Sequence, residues 1–254
     1  MNRKILLSAL LLSLTTGLVF AQPKDREIVN QSIEWFSITT TTKVSQKLSV
    51  ILEGQFRTQS FDPQQYQLRT ALDIKLNDHF SIVPLGYVFT WNYKYGKQPT
   101  TFENDEHRLW QQVMYKHKIG RVKIDHRLRF EERFIQVHSE QNDVLIDEGY
   151  TNKQFRIRYR FMARVPLNHT TIEPKTYFLS FYDEAFMSRG KKVTFHEPDQ
   201  NRVFAGLGYE FSKKVTVQGG LLYQMLIKSN GAKQENNVGL QVMLNYNLSL
   251  LKQQ

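Results

Sequence analysis

The chain has 254 residues, no cysteine, a formal net charge of +10 and a mean hydropathy of −0.47. The length suits one large domain, and the lack of cysteine excludes disulfides and thiolate-bound metal. The seven histidines show no paired ligand spacing, so neither a metal nor a cofactor is expected.

The chain opens MNRKILLSALLLSLTTGLVFAQPK. Arg3 and Lys4 precede an apolar run from Ile5 to Leu14, and Val19 and Ala21 suit a cleavage site. This pattern predicts a secretory signal peptide over 1–21, cut after Ala21. Removing it leaves a net charge of +8 on 22–254. That excess suits an anionic partner such as lipopolysaccharide or a phosphorylated headgroup. Nucleic acid is not an expected partner of an exported chain. Beyond the leader no apolar run reaches the roughly 18 residues of a spanning helix.

From Ile33 onward the sequence alternates with period two, which predicts strands. Segments near Ile33–Val44, Val50–Arg57 and Tyr66–Lys75 come first. In the next, Val83, Leu85, Tyr87, Phe89, Trp91 and Tyr93 share a face. Glu106–His117 precedes VKIDHRLRFEERF at 122–134. There Val122, Ile124, His126, Leu128 and Phe130 oppose Lys123, Asp125, Arg127, Arg129, Glu131 and Arg133. FRIRYRF at 155–161 sets Arg156, Arg158 and Arg160 against aromatic and aliphatic neighbours. Thr176–Phe186, Val203–Phe211 and two C-terminal segments complete the set.

Connectors alternate between short and long. Short ones fall at Ser45–Lys47, Asn77–His79, Lys118–Arg121, around Pro166–Asn168 and at Ser212–Lys214. Longer ones fall at Thr58–Gln64, Lys94–Asn104, Ile135–Asn152, Met187–Asp199 and Ser229–Glu235. The pattern predicts an all-β fold, an antiparallel up-and-down transmembrane β-barrel of about 10–12 strands with short periplasmic turns and longer extracellular loops. Eleven segments are evident, whereas bacterial barrels normally have an even number. Either a further strand lies near Lys24–Ser32 or the first segment stays out of the wall. The expected location is the bacterial outer membrane, and the expected partners are outer-membrane lipid, lipopolysaccharide and the barrel assembly machinery, with the chain a monomer.

A two-residue turn at Ile119-Gly120 would set Arg108 opposite Glu131 and Glu106 opposite Arg133. It would also set Lys116 against Lys123, a misfit at the barrel mouth.

EHRLWQQ at 106–112, HRLRFEERF at 126–134, FRIRYRFMARVPL at 155–167, DEAF at 183–186 and QNRVFAGLGYEF at 200–211 together resemble a bacterial family, domain of unknown function 2490, of Bacteroidetes type. The resemblance runs from about Trp35 to Leu248. It implies an outer-membrane barrel and brings no established activity or catalytic residues. The C-terminus, NYNLSLLKQQ, departs from the aromatic ending of many such barrels.

The charged face is the candidate site. Arg108, Asp125, Arg127, Arg129, Glu131, Arg133, Arg156, Arg158, Arg160, Glu184 and Arg202 are predicted to form a lumen charge cluster, with Arg69, Glu53, Asp73, Glu106 and Glu210 also inward. The simplest reading is a salt-bridged interior that rigidifies a small barrel. The functional reading is a passage for small anions or solutes, since the planar guanidinium fork fits carboxylate and phosphate. A complete set of acid partners would favour the first, an incomplete set the second. The rival class is a lipid hydrolase. His79 and Ser81 share a face at a short turn, but no third partner is evident, so no catalytic residue is assigned. Trp35, Tyr66, Trp91, Tyr93, Tyr115, Tyr209, Tyr223 and Tyr246 are predicted to form aromatic girdles. HSEQNDVLIDEG at 138–149 reads as an acidic solvated loop.

Overall fold

A computed structural model describes residues 26–94, 102–142, 144–195 and 198–251. The expected signal peptide, and parts of the Lys94–Asn104 and Met187–Asp199 connectors, lie outside the described residues. Every regular element among those described is a strand. The first six are β1 (Glu27–Lys43), β2 (Leu48–Gln59), β3 (Asp62–Lys75), β4 (Phe80–Asn92), β5 (Asn104–Ile119) and β6 (Val122–Ile135). Two short ones come next, β7 (His138–Gln141) and β8 (Val144–Asp147), then β9 (Asn152–Pro166) and β10 (Thr176–Gly190). The last are β11 (Gln200–Glu210), β12 (Val215–Ile227) and β13 (Lys233–Ser249). All but β7 and β8 close into one eleven-stranded barrel; β7 and β8 pair only with each other, in the β6–β9 connection. The acidic stretch at 138–149 therefore folds as a hairpin.

The odd number has a geometric answer. In a meander each strand reverses the last, so the first and eleventh wall strands point the same way. The barrel closes by pairing β1 with β13 in parallel, from Glu27 opposite Lys233 to Lys43 opposite Ser249. No extra strand precedes β1 among the described residues, and β1 does join the wall. At this seam the backbones come close: a Cβ on Gly239 would sit 1.5 Å from the carbonyl oxygen of Ile33, so only glycine fits there.

The β5–β6 hairpin corrects the predicted register. Its turn is Gly120-Arg121, and Ile119 pairs with Val122. Every partner moves by two residues: Arg108 faces Arg133, Trp110 faces Glu131 and Lys116 faces Asp125. Because two is one full strand repeat, each side chain keeps its face. The move pairs Lys116 with Asp125 but sets Lys123 opposite Lys118, so the like-charge misfit shifts two residues toward the turn.

In β4 the single predicted face is broken by a bulge. Pairing with β5 slips between Val83 and Gly86, leaving Pro84 and Leu85 together against Gln111. Proline has no N–H to give the ladder, so a bulge suits it. The extra residue turns Val83 inward, where it is buried with Val88, Ala71 and Trp110, while Leu85 and Tyr87 stay outside.

The alternation of connectors is looser than predicted. Thr58–Gln64 is mostly strand, with a two-residue turn at Ser60-Phe61 where both residues have positive φ, 52° and 68°. Glu34 accepts the Phe61 N–H at 3.1 Å and the Thr58 hydroxyl there. At the opposite end, the β9–β10 connection runs from Leu167 to Lys175 and is not short.

The inner face has two characters. On β5, β6 and β9 it is mostly arginine and glutamate. On β10–β13 and β1 aromatic, aliphatic and glycine positions alternate with buried amides and hydroxyls such as Ser180, Gln218, Gln224 and Gln241 and with Glu184 and Arg202; Ile33, Trp35, Tyr182, Phe204 and Leu222 are buried there as one cluster with Met162 of β9. Outside, each of the eleven wall strands exposes at least one large apolar side chain, among them Phe36, Leu52, Leu68, Leu85, Leu109, Leu128, Tyr159, Leu179, Leu207, Leu221 and Leu240.

Candidate functional site: the charged lumen

Strand parity brings the predicted charge cluster together. β6 and β9 are neighbours across the 136–151 connection, so their inward arginines meet. The ladder sets Arg127 opposite Arg160 and Arg129 opposite Arg158. Across the β5–β6 pair Arg108 faces Arg133. Like charges directly opposite destabilise a sheet, so these pairs need acids on the diagonals.

Two carboxylates do most of this. Glu131 is 1% exposed and accepts from Arg156 Nε and Nη2 at 2.7 and 2.5 Å and from Arg158 Nη1 at 2.7 Å. Arg108 and Arg129 lie 3.7 and 3.9 Å from it. Glu184 accepts from Arg127 Nη2 at 2.6 Å and from Arg158 Nη2 at 2.8 Å, with Arg202 at 4.0 Å. Arg158 therefore bridges the two acids. Glu106 accepts from Arg133 Nε at 2.7 Å and from Arg108 Nε at 2.8 Å; Glu106 and Arg133 thus meet on a diagonal and not as direct partners. Asp125 accepts from Arg164 at 2.5 Å, and Glu53 from Arg69. Such forked, charge-assisted bonds are the strong ones.

The acids do not match the arginines. Eleven arginines line one cavity of about 730 Å³, against the inward carboxylates of Glu53, Glu106, Asp125, Glu131, Glu184 and Asp199. Neutral acceptors fill part of the gap. Gln112 Oε1 accepts from Arg129 at 2.7 and 3.1 Å, and Gln154 Oε1 accepts from Arg133 at 3.0 Å. Arg160 has no carboxylate within 4.0 Å among the described residues and lies 5.7 Å from the Tyr182 ring. The lining reaches from Lys116, Asn245 and Asn247 near the short-turn end to Asp199, Lys228 and Ser229 near the loop end.

Two lining arginines, Arg57 and Arg164, were not among the candidates. Both keep the parity of a predicted inward neighbour, Glu53 and Arg160 respectively, and that signal could have found them. Trp35 corrects the girdle assignment. It is 2% exposed and lies inside, 3.9 Å from the Arg57 guanidinium. Tyr66 stacks with Phe56 and meets Tyr93 on the outer face at the loop end. Tyr177, Tyr209 and Phe211 cluster at the short-turn end, as do Phe80 and Tyr115.

The histidines weighed for hydrolysis have other neighbours. His79 Nδ1 lies 2.9 Å from the Lys116 carbonyl oxygen. His107 Nδ1 lies 2.6 Å from the Tyr87 hydroxyl, and His126 Nδ1 lies 2.8 Å from that of Tyr159.

A closed, all-β barrel with an arginine-rich interior and an apolar exterior is the class of protein that this fold and site define. Within that class, a family model described as a protein of unknown function, DUF2490, matches residues 34–236, and the chain belongs to that family. No curated protein and no solved structure matches it.

Proposed function

We propose that this protein is an outer-membrane barrel whose arginine-rich lumen admits small anions. The observation that carries this reading is the unmatched charge: eleven arginines line one cavity, and several of their donors are met by glutamine. Arginine rings of this kind favour anions in pores. The membrane part rests on the exterior. Exposed apolar side chains circle the whole barrel, which a water-soluble monomer would not keep, and aromatic groups flank them toward both ends, as in membrane barrels. The wall strands of 11–17 residues exceed the roughly 9–11 that a tilted spanning strand needs. The leader predicted from the sequence supports export.

Planar-bilayer recording in a salt gradient tests this. Anion-selective current is expected, and Arg160→Glu should weaken the selectivity. A sealed barrel, or cation-selective current unchanged by that substitution, would overturn it.

A further inference from the structure

Trp35 of β1 carries two guanidinium groups. The Cζ of Arg57 lies 3.9 Å from its ring centroid and that of Arg202 lies 4.6 Å away. Arg202 also sits 4.5 Å from the Phe186 ring. Aromatic faces attract cations but leave their charge intact. Two like charges on one indole repel, and Arg57 also faces repulsion from Arg108, Arg69 and Arg158.

The hydrogen-bond acceptors here are neutral as well. Arg57 donates to Gln55 Oε1 from Nη2 at 2.6 Å and from Nε at 3.1 Å, with Gln67 Oε1 at 3.5 Å. With its amide oxygen turned to the guanidinium, Gln200 accepts from Arg202 Nη2 and Nε at 2.8 and 2.7 Å. The carboxylate nearest Arg202 is Glu184 at 4.0 Å, already held more closely by Arg127 and Arg158. No carboxylate among the described residues lies within 4.0 Å of Arg57. Glutamine and glutamate have nearly the same shape, so the sites at 55 and 67 could hold acids without repacking. The amides satisfy N–H groups and leave two positive charges facing the cavity that Trp35, Arg57 and Arg202 all line.

We propose that Trp35, Arg57 and Arg202 form a binding site for a small oxyanion, a phosphate or a carboxylate, inside the lumen. This deepens the reading of the lumen as anion-accepting and rests on it. An entering oxyanion displaces a glutamine oxygen from the Nε–Nη2 edge of Arg57 or Arg202, and that edge then pairs with two oxygens of the one anion. Chloride offers a single centre and cannot span a fork in the same way. The indole fixes where the two forks lie, which limits the ordering cost of binding.

The purified, folded protein in detergent micelles allows a test that needs no conductance. Heat unfolding is followed by loss of the fast-migrating folded band, in phosphate, acetate or chloride at equal pH and ionic strength. Phosphate or acetate should raise the midpoint in a saturable way, and chloride should not; which of the two acts identifies the oxyanion class. In Gln55→Glu an internal carboxylate occupies Arg57. The folded band should persist, and half-saturation should need at least about tenfold more oxyanion. Arg57→Lys keeps the charge without the fork and should weaken the response in the same direction. Equal protection by chloride, or an unchanged response in both variants, would overturn the site. A sealed barrel that still shows the oxyanion response would remove passage and keep the site. A conducting barrel without that response would do the reverse.

Discussion

The arginine wall on β5, β6 and β9 and the glycine–aromatic wall on β10–β13 and β1 fill one interior in opposite ways. On the first, long charged side chains repeat in register, so the ladder itself creates repulsion between Arg127 and Arg160 and between Arg129 and Arg158. Order there depends on a few acids, above all Glu131 and Glu184. On the second, glycines remove side chains so that large rings can enter. Phe178 lies over Gly208, where a Cβ would meet its ring at 2.1 Å, and Phe204 stacks on Tyr182 at 5.2 Å. The arginine wall depends on electrostatics that desolvation largely offsets. The opposite wall depends on packing, which tolerates no added volume. Narrow barrels need their interiors filled, and here the two solutions meet at Trp35, which packs in the aromatic cluster and receives the cations.

The largest expected effect breaks the first wall. Glu131→Gln takes from Arg156 and Arg129 the one carboxylate among the described residues within 4.0 Å of each, while Arg108 keeps Glu106 and Arg158 keeps Glu184; it should destabilise the barrel by about 3–5 kcal/mol, read as a shift in the urea midpoint for unfolding from lipid vesicles. Less than about 1 kcal/mol would mean that water already screens these arginines.

Breaking the second wall at its seam should cost less. Gly239→Ala drives a methyl group into the Ile33 carbonyl oxygen, and overpacking of this kind costs about 1–3 kcal/mol. The same midpoint, measured beside Gly54→Ala, where nothing lies within 4 Å of the new Cβ, should separate a seam effect from a generic one.

Gln112→Glu sharpens the contrast without breaking either wall. It sets a carboxylate in place of the amide oxygen that accepts from Arg129. The folded band should survive with a midpoint close to that of the parent, while the reversal potential in a salt gradient moves toward zero. An unchanged potential would show that Arg129 does not face the conducting path.

The smallest effect lies outside the barrel, in the β7–β8 hairpin. The Gly149 N–H donates to Asp147 at 2.8 Å and Gln136 Nε2 to its other oxygen at 2.8 Å, which holds the Asp147 carboxyl below its ordinary value. A carboxyl lowered on folding adds stability above its unfolded pKa of about 3.9 and loses it as pH falls through the folded value. The protection factor of the Gly149 amide, its exchange rate set against the intrinsic rate at the same pH, should therefore fall at acid pH, and Asp147→Asn should flatten that dependence. Equal pH dependence in both proteins would show that this carboxyl does not order the hairpin.

Much of the fold was legible because strand parity is local. Arg156, Arg158 and Arg160 alternate with Phe155, Ile157, Tyr159 and Phe161, and any sheet that buries one set must expose the other. The charge cluster could be read in the same way, from Asp125 through Arg133. The acid that each arginine uses could not be read so. Arg127 reaches Glu184, far along the chain on β10, the next strand but one across β9, and only the pairing of β6 with β9 and of β9 with β10 brings them together.

The sequence by itself determined which side chains share a face, that the fold is all-β, and that arginine would outnumber acid on one face. The tertiary structure decided the β5–β6 register, since a shift of two residues leaves every face unchanged and so leaves no trace in the alternation. It also decided the bulge at Pro84-Leu85, where two successive residues share one side, and the parallel seam between β1 and β13. It put Trp35 inside the barrel, because the neighbours that bury Trp35 lie on strands that meet β1 only when the barrel closes.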